Sequence, residues 1–299
     1  MTATLAALAI KIFRGVPYVV DVQDLWPDTL ASTGMVRSKG LLSVVGWFSN
    51  LVFKRASRII VLSDGFRHQL VRRGIDTPIA VIRNWSPPEI VENCRTPILP
   101  RPGDIKLRPF NVLFAGNIGL AQGLDVVIDT ARLLRDQGIT VIFSIVGGGV
   151  DLERLKGRAD REALEHIHFH DYRHPAEMAA LFSEADALLV HLRRDRLFEI
   201  TIPSKTQAYL AVGKPILMGV RGDAANLIEE AGAGIPFEPE SPESLAAAVG
   251  ELIALSAEER AKMGEAGAEY YDNYLSFEVG MGKIEKELQK AVQEYRAQI

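Results

Sequence analysis

Short runs of β-branched and other apolar residues alternate with helical stretches along this chain, and this alternation constrains the fold more than any other feature. It is typical of α/β proteins, in which helices connect parallel strands and cover the sheet. Three runs lie in the first part of the chain and six in the second: PYVVDVQD, RIIVLS and IAVIRN, then FNVLFAGNIG, ITVIFSIVGGG, IHFHDY, ADALLVHL, KPILMGV and GAGIPFEP. The sequence predicts parallel sheets, and the six later strands are enough for a complete doubly wound sheet.

A proline-rich stretch without periodicity, SPPEIVENCRTPILPRPGD, separates the two groups of strands and is predicted to link two domains. We expect an amino-terminal domain over residues 1–95, a linker over 96–108, a second domain over 109–272 and a carboxy-terminal helix over 273–299. Three strands are too few for a parallel sheet that is covered on both faces, so the first domain is expected to be incomplete. Either the chain is a fragment or starts late, or a partner supplies the missing part.

The composition excludes several classes of protein. The chain has 299 residues, of which 47% are hydrophobic and 24% charged, and its formal net charge is -4. These values are typical of a soluble globular protein and do not predict a polyanion-binding surface, so nucleic acid is not an expected partner. The single cysteine, Cys94, rules out an internal disulfide framework and fits a reducing compartment.

The first twenty residues, MTATLAALAIKIFRGVPYVV, are apolar with early positive charge, as in a signal peptide. A signal peptide places its basic residues before the apolar run, whereas Lys11 and Arg14 follow it. We therefore expect a short helix that leads into a strand. A later segment, SKGLLSVVGWFSNLVFKRASRI, is interpreted either as a core helix with a basic end or as a helix lying on an anionic membrane surface.

Ligands of open α/β sheets bind beyond the carboxyl ends of the strands, so the turns after the strands of the second domain are the first places to search. FAGNIGLAQGLD has Gly116, Gly119 and Gly123 around the start of a helix, and glycines let backbone N–H groups approach a phosphate. SIVGGGVDL places Gly147 after the next strand, but its spacing does not fit the dinucleotide fingerprint, so an NAD enzyme is not expected. Tight turns without a ligand are the alternative.

Two further turns carry charged or aromatic residues. HFHDYRHP places Tyr172 and Arg173 after a strand, where they could frame a planar base, and its histidines do not complete a metal set. In TIPSKTQAYLAVG, proline in the first turn predicts a helix start at Ser204, where free N–H groups attract an anion. Lys205 then offers a point charge to a diphosphate, and a salt-bridged surface lysine is the alternative.

Together these motifs resemble the GT-B glycosyltransferases of family 4, especially the bacterial sugar-nucleotide transferases of O-antigen, capsule and exopolysaccharide assembly. The resemblance rests on DVQDLWPDTL, GNIGLAQGLD, IPSKTQAYLAVGKPIL, GDAANLIEEAGAGI and PESPESLAAAV. It implies an α/β GT-B fold, with two Rossmann-like domains facing a cleft and the first domain incomplete here. It also implies that the second domain binds the donor nucleotide and that neither a metal nor another cofactor is needed.

The resemblance assigns roles to individual residues. Asp24 and Lys205 are the expected catalytic residues: Asp24 would touch the acceptor or the sugar, and Lys205 the leaving diphosphate. The expected donor-binding residues are Gly116, Asn117, Ile118, Gln122, Gly147, Tyr172, Arg173, Ser204, Lys205 and Asp223. Many members carry a pair of glutamates near the last helix start, but here Ala208 stands at the second position and Glu199 is one position out of register for the first. Members also place arginine and lysine around the first turn, where this chain has uncharged side chains, so Lys205 is expected to neutralise more of the donor charge.

The expected activity is transfer of a hexose or N-acetylhexosamine from a UDP-sugar, with retention of configuration, to a glycan or lipid-linked acceptor in cell-surface polysaccharide synthesis. The expected location is the cytoplasm, with peripheral contact on the inner face of the membrane as an open alternative. A second hypothesis is a nucleotide-sugar-binding subunit or inactive remnant, which self-associates or needs a partner chain to complete its cleft. Turnover by the chain alone distinguishes the two. An epimerase on the same scaffold would need acid/base carboxylates that these motifs do not supply.

Overall fold

The computed structural model describes residues 2–32, 35–95 and 108–297. The strands in these ranges are β1 (Val19–Val22), β2 (Arg58–Val61), β3 (Ile79–Val81), β4 (Phe110–Ala115), β5 (Val141–Val146), β6 (Ile167–His170), β7 (Ala187–His191), β8 (Ile216–Gly219) and β9 (Gly234–Pro236). The helices are α1 (Thr2–Arg14), α2 (Asp28–Ser32), α3 (Lys39–Arg55), α4 (Asp64–Arg72), α5 (Pro88–Cys94), α6 (Asp125–Asp136), α7 (Leu152–Arg161), α8 (Ala179–Glu184), α9 (Arg196–Glu199), α10 (Ser204–Val212), α11 (Asp223–Ala231), α12 (Pro242–Ala254), α13 (Ala257–Tyr270) and α14 (Phe277–Arg296). Each predicted strand segment contains one of these strands.

The chain folds as two compact units. The first contains Met1–Asn84, Asp195–Ile202 and Phe277–Ile299, and the second contains Trp85–Arg194 and Pro203–Ser276. The first boundary therefore lies before the position expected from the sequence, and a short internal segment that includes α9 joins the first unit. None of the helices in the described ranges combines the length and apolar composition that crossing a membrane requires.

The first unit is built on a three-stranded parallel sheet in the order β1-β2-β3. Its core contains Val20 and Ile59 from the strands and Phe66 from α4, all of which are buried. The carboxy-terminal helix α14 belongs to this unit, where Glu287 accepts a hydrogen bond from Arg58 of β2 at 2.9 Å.

The second unit contains a six-stranded parallel sheet in the order β6-β5-β4-β7-β8-β9. Counted along the chain within this unit, the order is 3-2-1-4-5-6, which is the doubly wound arrangement. Its interior is apolar, with Phe114 and Phe143 among the fully buried side chains. The strand order reverses between β4 and β7, and ligands of such sheets bind at the carboxyl ends of the strands on either side of that reversal.

The proline-rich stretch SPPEIVENCRTPILPRPGD is partly helical. Helix α5 (Pro88–Cys94) lies in its first half and before the predicted linker bounds of 96–108, because a proline at the first helical position loses no intrahelical hydrogen bond. The helix buries Ile90, and Arg95 after it forms a bidentate ion pair with Asp272 at 2.6 and 3.0 Å. This stretch therefore belongs to the second unit, whereas residues 96–107 of the predicted linker lie outside the described residues.

Candidate functional site

The turns after β4 and β5 are in direct backbone contact at the point where the sheet order reverses. The N–H of Gly116 donates to the carbonyl of Val146 at 2.9 Å, and the N–H of Ile118 donates to that of Gly148 at 2.8 Å. A Cβ on Gly147 would lie 2.0 Å from the carbonyl oxygen of Gly116, a distance that atoms cannot adopt. Only glycine at position 147 therefore permits this pairing of the two turns.

This pairing reduces the number of amides that a ligand can use. Of the three residues expected to hold the donor diphosphate, Gly116 already donates to the last residue of β5 and Ile118 to the turn after it. Within the part of the chain that the structure describes, the N–H of Asn117 has no hydrogen-bond partner. The carboxamide oxygen of Gln122 accepts the N–H of Gly119 at 3.0 Å, so this side chain shapes the turn instead of extending towards a ligand. Asn117 is thus the one residue of the expected trio with a free amide.

Lys205 lies in the first turn of α10 and points at the end of β4. Its Nζ is 3.6 Å from the centroid of the Phe114 ring. A Cβ built on Gly116 would be 3.2 Å from the same Nζ. The side chain is partly exposed, but Nζ itself is shielded from solvent and has no hydrogen-bond partner among the described residues. Burial lowers the pKa of Lys205 to about 7. The amino group of Lys205 is therefore buried and unpaired among the described residues, and it is not that of a salt-bridged surface lysine.

A buried ammonium group without a counter-ion is costly, because the aromatic ring beneath it replaces only part of its hydration. An anion placed against Nζ would remove that cost, and the first N–H groups of α10 would reinforce its binding. The amino group of Lys205, the free amide of Asn117 and the start of α10 occur together where the strand order of the sheet reverses. This arrangement suits a phosphate or diphosphate.

Tyr209 fixes α10 in this position. It lies one helical turn after Lys205, so both side chains lie on the same face of the helix. Its hydroxyl accepts the N–H of Ala115 at 2.8 Å and donates to the carbonyl of the same residue at 3.2 Å. The side chain is buried, and burial raises the pKa of Tyr209. Lys205 is held against β4 because Tyr209 is bonded to the end of that strand.

We expect Tyr209→Phe to lower the free energy of unfolding by about 1–3 kcal/mol, because it leaves the half-buried backbone N–H of Ala115 without its partner. Urea denaturation followed by circular dichroism measures this loss. Tyr172→Phe is the matched control, since the Tyr172 side chain is 70% exposed and the same change there should cost less than about 0.5 kcal/mol. Equal losses in the two variants would show that the bonds to Ala115 do not hold the helix.

His191, at the end of β7, is a member of this site that sequence reasoning missed. It is fully buried and stacks on Phe237, with ring centroids 6.0 Å apart. Its Nε2 accepts the N–H of Glu240 at 2.9 Å, so Nδ1 must carry the proton and donate to the carbonyl of Gln122 at 2.7 Å. Burial lowers the pKa of His191, and the charge of Lys205 acts in the same direction. The signal in the sequence is one polar residue in the apolar run ALLVHL.

Neutral His191 connects the turn after β4 to the loop after β9 without placing a second positive charge beside Lys205. Its two bonds to backbone groups orient the ring and fix the tautomer, which gives it a positioning role. No residue of this kind was expected here, because a histidine inside a buried strand is most simply a core residue.

The remaining predicted residues lie on other strand ends. Tyr172 and Arg173 are exposed and follow β6, whose His170 carbonyl accepts the N–H of Gly147 at 3.1 Å. Asp223 begins α11 after β8, two strands away from β4. Asp24 is exposed and follows β1 in the first unit. The structure leaves Tyr172, Arg173 and Asp223 on other strand ends of the same sheet and places Asp24 in the other unit. The predicted residues that it brings together are Gly116, Asn117, Ile118, Gln122, Gly147, Ser204 and Lys205.

Comparison with known families decides what kind of chain carries this site. The family model for glycosyl transferases group 1 matches residues 97–270, which is more than half of the chain. This chain belongs to the group 1 glycosyl transferases. A second model, for a glycosyl transferase 4-like domain, matches residues 1–85. These matches confirm the family inferred from the motifs.

Two curated bacterial glycosyltransferases are similar in sequence. WcaI of Escherichia coli, named for colanic acid biosynthesis, is 27% identical over 253 residues, and WbjE of Pseudomonas aeruginosa is 23% identical over 256 residues. Each alignment covers 81% of this group 1 chain and 61% of the relative. The chain therefore spans about three fifths of the length of these relatives.

The fold is shared with solved glycosyltransferases. HepE from Anabaena, crystallised with UDP, superposes with a TM-score of 0.72 at 19% identity, covering 97% of this chain and 76% of HepE. A second structure of HepE contains UDP-glucose and also gives a TM-score of 0.72. At this level of identity the likeness shows the fold, and it confirms the α/β GT-B class.

Proposed function

We propose that this chain transfers a sugar from a UDP-sugar to a glycan or lipid-linked acceptor in bacterial cell-surface polysaccharide synthesis. The observation that carries the proposal is the buried Lys205 ammonium, which has no counter-ion among the described residues and lies at the reversal of strand order. The printed names of the relatives support the acceptor class, since WcaI is named for colanic acid biosynthesis. The nucleotides bound to HepE support the donor class.

The chemistry of glycosyl transfer requires a group of this kind. The bond between the anomeric carbon and the diphosphate oxygen breaks, an acceptor hydroxyl forms a new bond to that carbon, and the hydroxyl proton is released. Negative charge grows on the departing diphosphate, so fixed donors that meet it there stabilise the transition state. We assign this role to Lys205, the N–H of Asn117 and the first turn of α10, with no requirement for a metal or another cofactor.

The other assignments complete the proposal. Tyr172 and Arg173 frame the base, Asp223 and the start of α11 meet the sugar or a phosphate, and Asp24 of the first unit contacts the acceptor or the sugar. Ala208 has no polar side chain for the ribose, so that contact must come from elsewhere. The sugar is a hexose or N-acetylhexosamine, transferred with retention of configuration.

Calorimetric titration with UDP, GDP, ADP and dTDP in the presence of EDTA tests the donor assignment. We expect UDP to bind most tightly and the chelator to leave its affinity unchanged. Release of UDP from a panel of UDP-hexoses and UDP-N-acetylhexosamines then tests transfer. Negligible heat with every nucleotide would overturn the proposal, whereas UDP binding without turnover would favour the hypothesis of a binding subunit.

A further inference from the structure

Arg193 follows β7, the strand that pairs with β4 at the reversal of strand order, and it contacts the turn after β4. Its N–H donates to the carbonyl of Ala121 at 2.9 Å. A Cβ built on Gly123 would be 2.8 Å from the Cγ of Arg193, so the stem of the arginine lies directly against this glycine. Lys205 lies in the same way against Gly116, at the other end of the turn. Two cationic side chains therefore flank the turn that is proposed to hold the diphosphate.

The guanidinium group of Arg193 has only a distant counter-ion. Within the described part of the chain its one carboxylate partner is Glu240, whose Oε1 is 3.9 Å from Nε, beyond hydrogen-bond distance. The side chain of Arg194 is bonded on two sides: its Nε donates to the carbonyl of Pro239 at 2.9 Å, and a terminal nitrogen pairs with Glu238 at 3.0 Å. The two arginines are similarly exposed, at 47% and 51%. Arg193 thus keeps its side-chain donors for a ligand, whereas Arg194 is occupied.

Glu240, in the loop after β9, holds the backbone on both sides of Arg193. Its N–H donates to Nε2 of His191 at 2.9 Å, and its carboxylate accepts the N–H of Arg194 at 2.9 Å. The φ angle of Glu240 is +56°, a left-handed conformation that costs free energy for a residue other than glycine. Such a conformation persists where the surrounding contacts hold it. These contacts fix the short segment that carries Arg193.

The charges at this turn suit two phosphate groups. Burial lowers the pKa of His191, and the charges of Lys205 and Arg193 act in the same direction, so both cations lie within electrostatic range of this ring. Each phosphate group of a UDP-sugar carries a negative charge, and Lys205 can neutralise only one of them. The guanidinium of Arg193 stays protonated over the whole pH range of a folded protein. A second cation beside the turn would neutralise the other phosphate.

The order of the strands indicates which phosphate this is. Under the proposed function the base lies at Tyr172 and Arg173 after β6, and the next strands across the sheet are β5, β4 and β7. A nucleotide that begins over β6 would reach β7 with the phosphate furthest from its base. We propose that Arg193 binds the β-phosphate of the donor and shares the neutralisation of the diphosphate with Lys205.

This inference rests on the proposed function and adds a donor-binding residue to it. The oxygen that leaves the anomeric carbon belongs to the β-phosphate, so negative charge grows on that group during transfer. A charged, bidentate donor fixed beside it stabilises the transition state as well as the bound nucleotide.

Calorimetric titration with UDP and with UMP tests the assignment, because UMP has no β-phosphate. We expect Arg193→Met to weaken UDP binding about tenfold and UMP binding less than about twofold, and Arg193→Lys to retain part of the UDP affinity. Arg194→Met is the matched control, since it removes a neighbouring arginine of similar exposure and should leave both affinities unchanged. Circular dichroism shows whether each variant is folded.

The outcomes distinguish this inference from the proposed function. A loss of affinity confined to UDP and to the Arg193 variants would support it. Negligible UDP binding by the unmodified protein would overturn both. If the unmodified protein binds UDP, then unchanged UDP affinity in Arg193→Met, equal losses for UDP and UMP, or the same loss in Arg194→Met would each overturn the role of Arg193 alone.

Discussion

Replacing Gly147 by alanine is expected to destabilise the second unit by about 3 kcal/mol or more and to abolish UDP binding. The added methyl would lie 2.0 Å from the carbonyl oxygen of Gly116, so one of the two backbone turns must move. The φ angle of Gly147 is +137°, which alanine adopts only with strain. Because the two turns are hydrogen-bonded to each other and the turn after β4 carries Asn117, stability and UDP binding should be lost together.

The matched control is the next residue. A Cβ on Gly148 would meet no atom within 4 Å, so Gly148→Ala should change the free energy of unfolding by less than about 1 kcal/mol and retain UDP binding. Urea denaturation and calorimetric titration of both variants measure the difference. If the two variants behave alike, the close contact between the turns after β4 and β5 is wrong.

Lys205→Met is expected to weaken UDP binding by about 1–3 kcal/mol, or roughly five- to 150-fold, because it removes the charged donor and keeps the apolar stem. The same change should stabilise the free protein. Burial lowers the folded-state pKa of Lys205 to about 7, below its ordinary value of 10.5 in the unfolded chain, so charging this group opposes folding fully below pH 7. That cost disappears as the pH rises from about 7 to 10.5, and the stability advantage of the variant should shrink over this range.

Lys214→Met is the control for this prediction. Burial also lowers the pKa of Lys214, to about 8, but its Nζ donates to the carbonyl of Ala185 at 2.6 Å. Removing it leaves a carbonyl without its donor and should destabilise the protein, while UDP affinity stays the same. Stabilisation by Lys214→Met, or equal loss of UDP affinity in both variants, would contradict the separate roles assigned to these lysines.

The sequence was sufficient to predict the α/β class and all nine strand segments, because periodicity and β-branched runs are local signals. The position of Lys205 at a helix start was also predictable, since Pro203 and Ser204 mark that start locally. The burial of Lys205 against the Phe114 ring was not predictable, because that contact joins residues far apart in the sequence.

Hydrogen-bond partners across turns were beyond sequence reasoning for the same reason. The glycines around position 116 predicted free amides, but the N–H groups of Gly116 and Ile118 are bonded to the end of β5 and to the turn after it. The role of His191 depends on Gln122 and Glu240, which only the folded sheet brings to it. Likewise, no local signal assigns Asp195–Ile202 to the first unit, since that assignment depends on packing.

Proton uptake on UDP binding tests the central claim most directly. At pH about 8 the β-phosphate of UDP is fully ionised, because its last pKa is about 6, whereas Lys205 in the free protein is mostly neutral. Calorimetric titration in two buffers of different ionisation enthalpy should show uptake approaching one proton per UDP, and Lys205→Met should show none. Binding of UDP without proton uptake, or with the same uptake in the variant, would contradict a diphosphate site built around this lysine.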